Sequence, residues 1–484
     1  MRRLPATTAY YGLSFGLRLP TWVVMSVYLV SELHLSPLQL VLMGTAMEGA
    51  VFLFEIPTGV VADTYSRRLS LVIGYLGTGV AWVAVGLVSA PWLIIALWGA
   101  WGFAYTFTSG AEEAWITDEV GVEKVATVFL RGARYGQVGA IVGLLLQVAV
   151  GVISLRAGVI LGGVFTIACG LAAILFMPET GFRRRPRHER GSALSELRTT
   201  ASAGVRYAWA APVIVLLIGA ELFMGASAEA FDRLKEAHFL RDVGLPAIGH
   251  LDPVVWFGSF WLAGMLLNVA AIGSLIKRVE RGGRQTVARF IFAFVLMELV
   301  AMLVFALTHS IALAIAGLLG VFFARNMAGP LWDTWLNQQI TDSSVRATVL
   351  SLTGQANAVG QAGGGPVLGW IGNVRGIRAA LAVGALAMAP ALGLFARAIV
   401  HRWSSGSGIA PFAAARESIA ARGTPFECTV RFSVGWAGSP GAGREGCSCT
   451  ANDACAVCRP SPWTSAVTSA TQTPAVSNTT SVAS

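Results

Sequence analysis

Gly59-Val60-Val61-Ala62-Asp63-Thr64-Tyr65-Ser66-Arg67-Arg68 is a tight charged hairpin between two apolar runs, each long enough to cross a bilayer. It reads as a gate between transmembrane helices on the cytoplasmic side. Hydrophobic residues make up 55% of the chain and charged residues 13%, with mean hydropathy +0.65, outside the usual range of soluble domains. A helix rising about 1.5 Å per residue needs roughly 20 apolar residues to span the hydrocarbon core. Twelve such runs are legible, at 10–30, 38–62, 69–88, 92–117, 132–153, 157–177, 209–230, 254–276, 286–307, 311–335, 349–371 and 377–400. The expected fold class is therefore an all-α membrane protein of twelve transmembrane helices in two six-helix, pseudo-symmetric halves.

Lys and Arg concentrate in alternate loops, 21 on the side of the hairpin and 6 on the other. The hairpin-side set includes Arg2, Arg3, Arg67, Arg68 and the run from Arg183 to Arg206. Cytoplasmic loops carry this excess, which puts both termini in the cytoplasm of a multi-pass protein of the plasma (inner) membrane. The net charge of +9 is mostly this topological signal, so nucleic acid is a poor partner. The first span is too long for a signal peptide and no small-residue cleavage site follows it, so it is expected to stay in the membrane.

Four segments are expected: a first six-helix half (1–177), a cytoplasmic linker (178–208), a second half (209–400) and a disordered cytoplasmic tail (401–484). Internal repetition supports the division. Ala126-Thr127-Val128, Val138-Gly139 and Gly143 recur as Ala347-Thr348-Val349, Val359-Gly360 and Gly364; Glu113-Ala114-Trp115 matches Asp333-Thr334-Trp335, and Gly59 with Arg67 matches Gly273 with Arg281. Five of six cysteines fall in the tail, and the Cys455-Ala456-Val457-Cys458 spacing alone, without a nearby His, does not make a metal site.

In these residues the chain resembles the major facilitator superfamily of secondary transporters. The segment from Gly59 to Arg68 is similar to that family's signature between its second and third helices, and the resemblance covers about residues 10–400. Glu55-Ile56-Pro57-Thr58-Gly59 and Ser109-Gly110-Ala111-Glu112-Glu113-Ala114-Trp115 are similar to a bacterial drug or macrolide efflux-like branch. Thr64 stands where a basic residue is usual, the fourth span lacks an embedded Arg, and the antiporter signature of the fifth is reduced to Gly132, Gly136, Gly139 and Gly143. The resemblance implies that Asp63 lies at the positive end of the eleventh helix, near Val349, and that Arg67 pairs with Asp118. Such links, with Gly59 permitting close approach and Arg68 completing the motif, would join the halves in the outward-facing state and break as the cavity opens inward.

Charges embedded in spans cost about 2.5 to 3.5 kcal/mol on insertion scales and tend to face a cavity. Arg18, before Pro20, and Glu48 are expected to pair between the first two helices. Glu55 lies on the face of Glu48. Of the adjacent Glu112 and Glu113, one is expected to face the path and the other to meet Arg131 or Arg134. Glu221, Glu298, Arg325 and Asp333 extend the polar path, and Asn357 with Gln361 could contact cargo or the seventh helix. Trp92, Trp98, Trp101, Trp115, Trp256 and Trp261 could stack on a flat or cationic cargo, although interfacial belts and packing claim most such residues.

No catalytic set and no Walker-type nucleotide loop is present, so the chain is not expected to be an enzyme, to hold a cofactor or metal, or to use ATP. The reading is a monomeric secondary active transporter of a small organic molecule, by alternating access and in the direction of efflux, with proton coupling as an option. Uptake or facilitated diffusion of a metabolite, and a transporter-like receptor that moves nothing, remain alternatives.

Overall fold

The computed structural model describes residues 3–182, 202, 204–246, 249, 251–340, 342 and 345–404. Arg2, most of the expected linker (183–201 and 203) with its Arg183 to Arg198 run, and the tail from 405 onward with its five cysteines lie outside the described residues. What is described is helical: α1 (Ala6–Gly16), α2 (Trp22–Ser31), α3 (Pro37–Thr64), α4 (Arg67–Leu87), α5 (Pro91–Thr106), α6 (Ala111–Val120), α7 (Val122–Ile153), α8 (Leu155–Phe176), α9 (204–210), α10 (Pro212–His238) with a π-helical end (Phe239–Val243), α11 (Pro253–Leu307), α12 (Ile311–Asn337), α13 (Arg346–Arg375), α14 (Ile377–Ala387) and α15 (Ala389–Ser404).

Local sequence sets the ends. Ser36 accepts from the Gln39 N–H while the Gln39 side chain accepts from Ser36 N–H, a reciprocal cap that starts α3 beside Pro37. Ser66 caps α4 through Leu69 N–H at 3.0 Å, closing the hairpin in two residues.

The run Pro253–Leu307 is not straight. The rings of Phe257 and Phe305 lie 5.9 and 5.4 Å from the ring of Phe239, whereas a straight helix would hold them about 70 Å apart. It folds back into two antiparallel arms, Pro253–Gly282 and Thr286–Leu307.

Among the described residues, nine stretches are long and apolar enough to cross a bilayer, and the chain is an integral membrane protein. The expected count of twelve differs from this at three places. The first span breaks between Gly16 and Trp22 and the fourth between Thr106 and Ala111, and the eleventh, α13, is too rich in glycine and polar residues to reach the hydropathy of a span. Gly110, at φ 70°, supplies the left-handed turn of the fourth-span break. At the first-span break, buried Gln147 of α7 donates to Leu19 C=O at 2.8 Å and accepts from Thr21 N–H at 3.2 Å. Backbone groups freed inside a membrane protein need such partners.

Glycines set the closest helix contacts. A Cβ at Gly139 or Gly143 would stand 2.2 or 2.0 Å from the carbonyl oxygen of Phe15 or Leu19, so α7 lies directly on α1 and the break. A Cβ at Gly360 would meet Leu222 O at 2.0 Å, so α13 lies on α10 in the same way, at the positions the sequence repeat aligns.

The two helix sets, before residue 178 and after residue 211, join at the face opposite the hairpin. There the Arg241 guanidinium donates to Leu35 C=O at 2.8 Å, Asn373 Oδ1 accepts from Leu38 N–H at 3.0 Å, and Gly151 packs on Val254. Toward the hairpin the sets part. Gln355 donates to Glu55 at 2.7 Å, but a Cβ on Gly59, Gly273 or Gly354 would meet nothing within 4 Å. The close helix approach expected at Gly59 is therefore absent from this state.

Candidate functional site: two chambers on a central path

The hairpin is held within one helix set. Arg67 donates to Asp118 at 2.7 Å and to Asp63 at 2.6 Å. The Arg68 side chain donates to the terminal α8 carbonyls of Ala173, at 3.2 Å, and Ile174, a use of a cation at a helix C-terminus. The carboxylate of Glu179 accepts from Ser66 Oγ at 2.9 and 2.8 Å and from Arg68 N–H at 3.0 Å. Among the described residues no side chain after residue 211 pairs with Asp63, Arg67 or Arg68. The expected link from Asp63 to the eleventh helix is not found; Asp63 pairs locally with Arg67 instead, and a Cβ at Gly59 of α3 or Gly354 of α13 would meet nothing within 4 Å. Glu179, which lies past the end of α8, carried no motif that could have marked it.

The first-span break and the start of α6, just past the fourth-span break, border one chamber of about 840 Å³ on the hairpin side. Arg18, Glu112 and Glu113 line it with Asn268 and Asn326. Glu112 accepts from Tyr75 OH at 3.0 Å. Arg131 and Arg134 are exposed and make no ion pair among the described residues, so the pairing expected for them is not found. Nor does Arg18 pair with Glu48: the break in the first span turns Arg18 toward the α6 carboxylates, and Glu48 lines a different chamber.

That second chamber, about 440 Å³, lies toward the opposite face. Trp22, Trp98, Trp101 and Trp261 form its aromatic wall, and Glu48, Asp232, Arg233, Lys235 and Glu236 also line it. Trp22 sits 5.5 and 5.4 Å from Trp98 and Trp101, ring to ring. Trp261 and Phe322 border both chambers and so mark the neck between them. Of the remaining tryptophans singled out in the sequence, Trp92 is exposed, Trp115 is buried and donates to Pro178 C=O at 2.7 Å, and Trp256 packs on Phe260.

The charged end of α10 was missed. The sequence reads Arg233 and Lys235 as loop residues past a span ending at 230, whereas α10 carries on to His238 inside the helix bundle. Glu229, Asp232, Arg233 and Glu236 recur at three- and four-residue spacing, a one-sided helical pattern that could have been found. Arg233 donates to Glu229 at 3.1 Å and lies over the Trp98 ring at 5.0 Å. Lys235 donates to Asp232 C=O at 2.6 Å and lies 3.4 Å from Glu236. Behind them Arg325 bridges Glu298 at 2.5 Å and Asp232 at 2.7 Å, which compensates three charges that would each be costly alone.

The other candidates are placed as follows. Glu55 accepts from Ser109 Oγ at 3.1 Å and from Gln355, linking the sets about two-thirds of the way along α3. Glu221 accepts from Asn357 at 2.7 Å, and Gln361 donates to Asn357 at 2.8 Å, so this pair bonds to the seventh expected helix. Asp333 is exposed and has no ion pair among the described residues; the two turns separating it from Arg325 do not bring it into the Arg325 cluster.

Comparisons with known proteins place this helix arrangement in a family. Residues 6–364 match the profile described as Major Facilitator Superfamily. A Bacillus subtilis (strain 168) protein described as the uncharacterized MFS-type transporter YxaM is 26% identical over 127 residues, which is 26% of this chain and 31% of that relative. The match thus spans about a third of the relative's length. Among solved structures, the nucleoside transporter NupG superposes with a TM-score of 0.65 at 12% identity, covering 82% of this chain and 99% of that one. A POT family transporter in complex with 5-aminolevulinic acid gives 0.64 at 12% identity, covering 81% and 95%. A bacterial homolog of the human lysosomal transporter Spinster, in an inward-facing and occupied conformation, gives 0.59 at 15%, covering 81% and 95%. At such identities the likeness is one of fold. The profile match covers most of the chain and carries the assignment: this protein belongs to the Major Facilitator Superfamily, a family of membrane transporters and not of enzymes.

Proposed function

We propose that the chain is a secondary active transporter that moves a small organic molecule by alternating access, in the direction of export, as a monomer of the plasma membrane. The observation that carries this reading is the pair of chambers on one path, with the helix sets joined at one face and parted at the hairpin face. In the positive-inside orientation both termini are cytoplasmic and this state faces inward. Counting the broken first and fourth spans and the glycine-rich α13 as crossings gives twelve helices in two duplicated halves, joined by the 178–208 linker. The resemblance of 55–59 and 109–115 to efflux-like proteins supports the export direction and the drug or macrolide branch.

Proton coupling is part of the proposal. Glu48 stands on the path with no hydrogen bond or ion pair among the described residues, and a carboxylate there can bind a proton when the chamber is closed and release it when wet. The test is flux in proteoliposomes across a panel of drugs, with and without an imposed pH gradient, for wild type and Glu48→Gln. Uphill flux that follows the gradient and vanishes in the variant supports the proposal. Downhill flux indifferent to both would make the chain a facilitator, and saturable binding with no flux in any condition would make it a receptor.

A further inference from the structure

The chamber toward the far face has an unbalanced set of charges. Three carboxylates line it, Glu48, Asp232 and Glu236, against two cations, Arg233 and Lys235. Both cations are committed: Arg233 to Glu229 and the Trp98 ring, Lys235 to Asp232 C=O and Glu236. Of the carboxylates, Asp232 accepts from Arg325 at 2.7 Å, and the other two are less fully committed. Glu48 makes no hydrogen bond or ion pair among the described residues, and Glu236, only 5% exposed, keeps one oxygen near Lys235 while the other has no hydrogen bond among them. A buried acceptor left in this state is costly, and a chamber lined by it is suited to a ligand that brings positive charge.

The aromatic wall points the same way. The guanidinium of Arg233 already lies over Trp98 at 5.0 Å, so this wall holds one organic cation belonging to the protein itself. Trp22 and Trp101 continue it next to Trp98 and border the same chamber. Aromatic faces attract cations, more strongly where the cation is desolvated. We propose that this chamber is a binding site for a bulky monovalent organic cation, its positive centre held by the carboxylate of Glu48 and attracted by the buried charge of Glu236, with its apolar body against Trp22 and Trp101. The inference rests on reading the chamber as part of the transport path, and it names the class of substrate.

Equilibrium binding tests it apart from transport. Purified full-length protein in detergent is titrated calorimetrically with tetraphenylphosphonium and, separately, with tetraphenylborate, an anion of the same shape, each corrected for titration into detergent alone. The phosphonium should bind saturably and at least tenfold more tightly than the borate. Glu48→Gln should weaken the phosphonium by roughly tenfold, the loss of one charge-assisted contact, without changing the borate. Equal affinity for the two ions in wild type overturns the proposal even if the variant fails to fold, and so does an unchanged phosphonium affinity in folded Glu48→Gln. Binding with this selectivity but no flux would uphold the site and defeat the transport reading, whereas gradient-driven flux of neutral or anionic compounds alone would do the reverse.

Discussion

Loosening the far face should move the protein toward its other conformation by a calculable amount. Two polar contacts bridge the helix sets there: Arg241 to Leu35 C=O at 2.8 Å and Leu38 N–H to Asn373 Oδ1 at 3.0 Å. Arg241 and the Asn373 contact are solvent-exposed, so each bond contributes about 1 kcal/mol and no more. The two sites share no partner, and their effects should add to about 2 kcal/mol, a shift of roughly 30-fold in the equilibrium between closed and open far faces. The double variant Arg241→Gln, Asn373→Ala is labelled in a cysteine-substituted background at Ala90 and Ser310, exposed positions in far-face turns of the two sets. Double electron–electron resonance should then show a longer-distance population absent or minor in the parent. A label pair at Glu123 and Lys277, exposed near the hairpin face, should show a complementary shorter one. If both distributions superimpose on those of the parent, these contacts do not hold the far face and the two-state argument fails.

Three further outcomes follow from the packing. Gln147→Ala leaves Leu19 C=O and Thr21 N–H unpaired at the first-span break and should cost about 2 kcal/mol, read as a lower melting temperature in detergent; an unchanged melt would mean other groups serve the break. Gly139→Leu and Gly360→Leu put a side chain where a Cβ already stands 2.2 or 2.0 Å from backbone oxygen. Each should cost at least about 1 to 3 kcal/mol, with both variants lowering folded yield, while Gly354→Ala, in open space, should not. Arg325→Met strands Glu298 and Asp232 and should cost about 3 kcal/mol. Adding Glu298→Gln should recover part of the loss, which a purely steric role for Arg325 would not allow.

The helices and the hairpin were legible because both are local: apolar length, paired arginines and turn residues act within a few positions. The closeness of Arg67 and Asp118 followed from the resemblance, and the two stand 2.7 Å apart. The partner of Arg18 was not legible, since pairing it with Glu48 assumed an unbroken first helix, and five non-helical residues rotate everything before them relative to everything after. The end of α10 failed for a different reason. Charge density there mimics a loop, and only the bundle, which supplies Trp98, Arg325 and Glu298 as partners, makes a charged helix end tolerable inside. The contact expected at Gly59 is not found, since a Cβ there would meet nothing within 4 Å; the proposal assigns it to a state with the hairpin face shut.

Alternating access itself is tested most directly by locking the far face. Cysteines at positions 38 and 373, where Leu38 and Asn373 already touch across the sets, are joined by a short reducible methanethiosulfonate cross-linker in proteoliposomes, and flux is followed before cross-linking, after it and after reduction. The account predicts that transport stops when the linker forms and returns when it is reduced, while each single-cysteine protein still transports and does not respond to the linker. Flux that continues through the cross-linked protein would contradict it.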